Sequence, residues 1–203
     1  MTDPAVESAW RAVWQALNER QLLAGAEIVA NDLLRSDKTL RAGVPQKAGE
    51  AIQDLLQATR QADLRDATTA ARALIGLGSG LTPAGDDLLE GYLAGLWCAV
   101  RGRPDHEQFV LSLGRQVVHL SRRTNDISRT YLYHAAHGQV SSRQAALAEA
   151  ISRGESGEPL LSTAESAMRV GHSSGMDAVT GLLFGLVTWD TLVLATKVIR
   201  PDL

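Results

Sequence analysis

Cysteine is nearly absent: Cys98 stands alone in 203 residues, so no intrachain disulfide can form. Its place in the apolar run Leu96-Trp97-Cys98-Ala99-Val100 predicts a buried thiol. No apolar run approaches the ~18 uninterrupted residues of a membrane-spanning helix, so no membrane partner is expected. No basic block occurs, and a net charge of −3 with a pI near 5.9 removes the electrostatic basis for non-specific nucleic-acid binding. No stretch alternates apolar and polar residues long enough to claim a strand. The amino terminus lacks the apolar core of a signal peptide, because Thr2-Asp3-Pro4 opens into a charged helix. The cytoplasm is the expected compartment.

What remains reads as all-α. A hydrophobic content of 45% over 203 residues suffices for a single compact domain, 1–203, with a real core and no linker. Asp3 then Pro4 is a cap followed by a first-turn proline, and Val6, Trp10, Val13, Trp14 and Leu17 fall on one face. The segment 24–34 continues or restarts that helix after Gly25, and 41–45 breaks it. Helices are expected over 51–58, 63–75, 107–120, 127–136, 143–151, 159–170 and 188–199, the last carrying Trp189, Leu192, Val193 and Leu194 inward. Together with the two motif helices below, the pattern predicts roughly ten helices joined by short loops.

The chain is organised around Gly76-Leu77-Gly78-Ser79-Gly80-Leu81-Thr82-Pro83-Ala84-Gly85-Asp86-Asp87. So many glycines with a proline cannot sit inside a helix or strand, so the run is a loop. Apolar residues at helical spacing follow, placing Asp86 and Asp87 in a first turn, where carboxylates suit the helix dipole. A glycine-rich loop at a helix start exposes backbone donors that can hold an anion, with Gly78, Gly80, Thr82 and Gly85 as candidate contacts. Two aspartates there would repel a bare phosphate. A divalent cation such as Mg2+ held by Asp86 and Asp87 would bridge carboxylate and anion. The plain alternative is a helix-loop-helix connection in which Asp86 or Asp87 only caps. The Lys-Ser/Thr of a P-loop and the preceding strand of a dinucleotide fingerprint are both missing.

A second stretch repeats the pattern. Gly175-Met176-Asp177-Ala178-Val179-Thr180-Gly181-Leu182-Leu183-Phe184-Gly185 matches G-x-D-x3-G-x3-G of the first motif, each matched position lying 90 residues on (85 and 175, 87 and 177, 91 and 181, 95 and 185). This predicts an internal pseudo-repeat of two glycine-rich loop-helix motifs. Each glycine inside a helix forfeits roughly 1 kcal/mol against alanine, so four of them need a close helix contact in return. The lead-in His172-Ser173-Ser174 adds a histidine able to act as general acid or base beside Asp177, with Ser173 and Ser174 as ligand contacts. A loop imidazole bonded only to backbone is the competing reading. A hydrolase triad of these neighbours is poorly placed in sequence and no nucleophile elbow is present.

These two segments, with Arg123-Thr124 and Ser128 between them, resemble the signature of a bacterial domain-of-unknown-function family that is similar to one subunit of the oxamate carbamoyltransferase of anaerobic allantoin breakdown. The resemblance covers roughly residues 63–188, leaving helices in 4–60 outside it. The family's pattern has serine where this chain has Ala84, and its members commonly carry an amino-terminal β-rich region that the short helical start here does not match. The resemblance implies an enzyme or enzyme subunit acting on a small anionic carboxylate or carbamoyl compound, in a homo-oligomer or with partner enzyme subunits. It also turns Arg123, Thr124 and Ser128 from a plain solvated loop into candidates for an anion clamp, a use that suits paired guanidinium forks. His134 and His137, three apart on a helix, carry no metal signature and read as structural. Two functions stay open: a carbamoyltransferase-like subunit with His172 and Asp177 as catalytic groups, and a non-catalytic helical assembly or small-ligand-binding protein in which glycines only pack and aspartates only cap.

Overall fold

In a computed structural model of the chain, which describes residues 3–34, 43–100 and 102–189, proline opens helices and glycine closes them. Asp3 accepts the Ala5 N–H at 2.9 Å, Pro4 takes the first position of α1 (Pro4–Ala24), and Gly25 ends it with φ 61. After α2 (Ala30–Leu33), α3 (Val44–Arg60) begins with Pro45 in its first turn. The expected break at 41–45 falls partly on residues 41 and 42, outside the described residues. Asp63 caps α4 (Leu64–Leu74), accepting the Asp66 N–H at 3.0 Å.

The first motif helix is α5 (Ala84–Ala99), followed by α6 (Pro104–Leu120) and a 3-10 turn, Ser121–Arg123. Asn125 opens α7 (Asp126–Ala136) by accepting the Ile127 and Ser128 N–H groups at 3.0 Å. A capping box between Ser141 and Gln144 opens α8 (Ser142–Ser152). Then come α9 (Gly157–Met168) and the second motif helix, α10 (Ser174–Val187). No strand occurs among the described residues. The apolar helix expected over 188–199 lies outside them beyond Trp189, whose ring stacks on His106 at 3.8 Å.

The architecture turns on α5 against α10. A Cβ placed on Gly91 would lie 1.9 Å from the Ala178 carbonyl oxygen, and one on Gly181 would lie 1.9 Å from that of Leu88. One turn further, Gly95 faces the Leu182 carbonyl and Gly185 faces the Tyr92 carbonyl, each at 2.3 Å from such a Cβ. Contacts rise together along both chains, 88 with 181 and 92 with 185, so the helices run parallel with backbones touching. No other residue fits at these positions, which explains glycine despite its helix cost. Parallel packing also brings the two helix starts to one end of the molecule.

The other helices wrap this pair. Trp10 of α1 donates its indole N–H to the Leu183 carbonyl at 2.9 Å, stacks on Trp14 at 5.0 Å, and Trp14 meets Phe184 edge-on. Trp10, Val13, Trp14 and Leu17 are all buried, as their spacing predicts. Tyr92 is wholly buried and donates to Thr59 Oγ1 of α3 at 2.9 Å, while Thr188 donates to Tyr92 Oη at 3.2 Å. One expectation fails. Cys98 is exposed, because it sits at the carboxyl end of α5 past the last seam contact between Leu96 and Gly185.

Candidate functional site

The loop before α5 is shaped by glycines at 76, 78 and 80, whose φ values are 75, 108 and 104. These φ values suit glycine alone and let the chain turn sharply between α4 and α5. The N–H groups of residues 78–82 donate no hydrogen bond to any described residue. The loop returns on itself where Gly85 donates to the Leu77 carbonyl at 2.8 Å. A Cβ on Gly85 would lie 2.1 Å from the Leu74 carbonyl oxygen, so α5 starts pressed against the end of α4.

Asp86 and Asp87 do not cap α5, whose N-cap is Pro83 without a side-chain bond. They do different things. Asp86, buried, accepts the Gly76 N–H at 2.8 Å through Oδ1 and the Thr124 hydroxyl at 2.5 Å through Oδ2. It ties the glycine loop to the turn before α7, and Thr124 thereby becomes part of the brace. Asp87 is 8% exposed, yet its Oδ2 has no hydrogen-bond partner. Beside it, the Thr82 and Ser174 hydroxyls bond each other at 2.7 Å across the gap between the two motifs. Burial pushes the Asp87 carboxyl up to about 8, with the Thr82 and Ser174 hydroxyls opposing and the Asp177 and Glu90 carboxylates adding to the rise.

Asp177 stands at the start of α10 as Asp87 does at the start of α5. Burial raises it to about 7, opposed by the Ser173 hydroxyl and assisted by Glu27. A third acid, which its spacing did not single out, lies one turn into α5: Glu90, raised by burial to about 7 and held by Gln144, whose amide donates to Oε2 at 2.7 Å. At the matching place on α10 stands Thr180, which receives the Gln21 amide at 3.1 Å. Glu90 is the lone charge in the apolar stretch 88–100, and that isolation was its signal.

The structure therefore brings Thr82, Asp86, Asp87, Thr124, Ser174 and Asp177 to one end of the α5 and α10 pair. The Arg123 carbonyl approaches Gly76, 3.5 Å from the place of a Cβ, while its side chain is exposed. Ser128 is buried with an unpartnered hydroxyl, on the first turn of α7. His172 and Gly80 are exposed, and neither makes a hydrogen bond to a described residue. His134 and His137 bond Gln139 and the Tyr133 carbonyl, as structural histidines do.

Asp86 has both oxygens engaged, and among the described residues no three His, Cys, Asp or Glu side chains are grouped to hold a metal ion. Asp86 is thus the brace, and Asp87 the acid that keeps an unpartnered oxygen. A separate groove of about 500 Å³ between α3 and α4, lined by Lys47, Glu50, Asp54 and Asp66 among others, includes none of the motif residues.

No solved structure matches this chain. The family described as oxamate carbamoyltransferase subunit AllH matches residues 74–186, a span running from the end of α4 through both motif helices. That is more than half of 203 residues, and the chain belongs to this family.

Proposed function

We propose that the chain is the ligand-holding subunit of a carbamoyltransferase-type enzyme, taking a small carboxylate or carbamoyl compound at the joined starts of α5 and α10. The observation that carries this is the unpartnered, buried Oδ2 of Asp87 next to the paired Thr82 and Ser174 hydroxyls and a loop of free N–H donors. Two helix starts side by side add their positive ends to the loop, favouring an anionic ligand group. The constant spacing of 90 across the seam supports reading the two motifs as an internal pseudo-repeat that serves one site. The family's description as a subunit supports partner chains.

Carbamoyl transfer joins a nucleophilic nitrogen to the carbamoyl carbon. The carbon–oxygen bond to the leaving phosphate breaks, and the nitrogen gives up a proton. Carboxyl groups raised toward neutrality suit that proton transfer, since a catalytic group works best with its pKa near the working pH. Asp177 fits the role by position and by its shift to about 7. His172, exposed on the loop before α10, is a second candidate from the rim, and Arg123, whose carbonyl lies by Gly76 and whose side chain is exposed, is a candidate to meet a ligand carboxylate or phosphate.

The test is a melting curve of the chain with oxamate, carbamoyl phosphate, oxalurate or phosphate, each with and without Mg2+. A ligand at 100 times its Kd should stabilise by about 2.7 kcal/mol. If none shifts the curve at millimolar concentration, the glycine helices serve packing and the chain is an assembly subunit without a ligand of its own.

A further inference from the structure

The site has two poles of opposite hydrogen-bonding character. On one side, the N–H groups of residues 78–82 are donors without a described partner. On the other, Asp87 Oδ2 is an acceptor without one, on a side chain only 8% exposed. Between them stand the Thr82 and Ser174 hydroxyls, 2.7 Å apart, each able to donate or accept. A buried polar atom left unmatched is costly, so a ligand that satisfies Asp87 Oδ2 as well as the loop donors gains more than one that satisfies the loop alone.

Building on the ligand site argued above, we propose that Asp87 reads the N–H2 of a primary amide or carbamoyl group, while the loop donors take the ligand's anionic end. Asp87 is thus the specificity residue that separates an amide from a carboxylate of the same shape. Two neighbouring acids enforce the choice above about pH 8, where they and Asp87 are ionised. Asp177 and Glu90 lie close enough to push on Asp87 electrostatically, and no cationic side chain is among the groups that act on it. A second ligand carboxylate at this pole would meet negative charge and bring no donor. An amide nitrogen brings two donors, and its carbonyl can accept from a serine or threonine hydroxyl. The rejection of a ligand lacking the N–H follows the general pattern in which a site built for a hydrogen bond excludes the analogue without it.

Three small acids of nearly one shape test this: oxamate carries N–H2, pyruvate a methyl group and oxalate a second carboxylate. Calorimetric titration of the 203-residue chain at pH 9, where Asp87 is ionised, should give oxamate a Kd at least about tenfold below those of pyruvate and oxalate, because only oxamate satisfies the acceptor. Asp87→Ala should bring the three within about threefold of one another, chiefly by weakening oxamate. Pyruvate binding as tightly as oxamate would overturn the role of the N–H2 while leaving the site in place, and oxalate doing so would overturn the electrostatic exclusion. Binding of none of the three would overturn both this assignment and the ligand site beneath it. The wild-type order decides the matter even if the alanine variant fails to fold.

Discussion

At the start of α5 the residue before the shared aspartate is Asp86, and at the start of α10 it is Met176. The long loop 75–83 enters α5 and needs a tie, which Asp86 supplies through Gly76 and Thr124. The short connection 169–173 enters α10, where Gly175 donates to the Val170 carbonyl at 2.8 Å, and Met176 is 2% exposed in the core. What both starts retain is the next aspartate, 87 and 177, buried and raised in each case. The difference separates architecture from chemistry: the acid present on one side only is a brace, and the acid present on both sides bears the candidate function.

The largest expected effect lies in the seam that holds the two starts together. Gly91→Ala and Gly181→Ala each press a methyl group against a carbonyl oxygen, and each should destabilise by about 3 kcal/mol or more. In a chain of this size that lowers Tm by roughly 6–12 °C, read by calorimetry. The two losses should be similar; a harmless substitution at either position would break the symmetry of the comparison. Next in size, Asp86→Asn removes an acceptor from Gly76 or Thr124 and should cost about 1–3 kcal/mol in a denaturant titration. Asp87→Asn, one residue on, should cost little at neutral pH, because no structural bond depends on Oδ2.

The pH dependence sharpens the same contrast. Asp87 holds its proton to about pH 8 in the folded chain, and Asp177 and Glu90 to about 7, whereas unfolded carboxyls release theirs near 4. Over that interval the folded state binds more protons, so stability falls as pH rises from about 4 to 8. Asp87→Asn should remove part of that fall, making the variant gain on wild type between pH 5 and pH 8 in paired melts. A parallel decline in both proteins would contradict the raised Asp87. The smallest effects concern the ligand: EDTA should leave oxamate affinity unchanged, since Asp86 is already engaged, and Arg123→Lys should weaken it severalfold without changing Tm, through loss of the planar fork.

Much of this was legible in the residues. Helix starts and stops followed Asp3, Pro4, Gly25, Asp63 and Asn125, because capping is local chemistry. Glycines at 91, 95, 181 and 185 announced a close crossing because nothing else offsets their helix cost. The division between Asp86 and Asp87 was not legible, since it depends on Thr124 arriving from 38 residues away. Glu90 stands out in sequence only as a lone charge in an apolar stretch; its partner Gln144 lies 54 residues on, and only the fold joins them. The exposure of Cys98 depended on where the seam ends, which apolar composition does not encode.

The central claim is that the starts of α5 and α10 form one site. Carboxyl-carbon NMR signals of Asp87 and Asp177, followed during a titration with oxamate at constant pH, test it most directly. The account predicts that both signals move and saturate at the same oxamate concentration, while that of the exposed Asp105 does not. Movement of one without the other, or of neither while oxamate binds, would contradict a shared site.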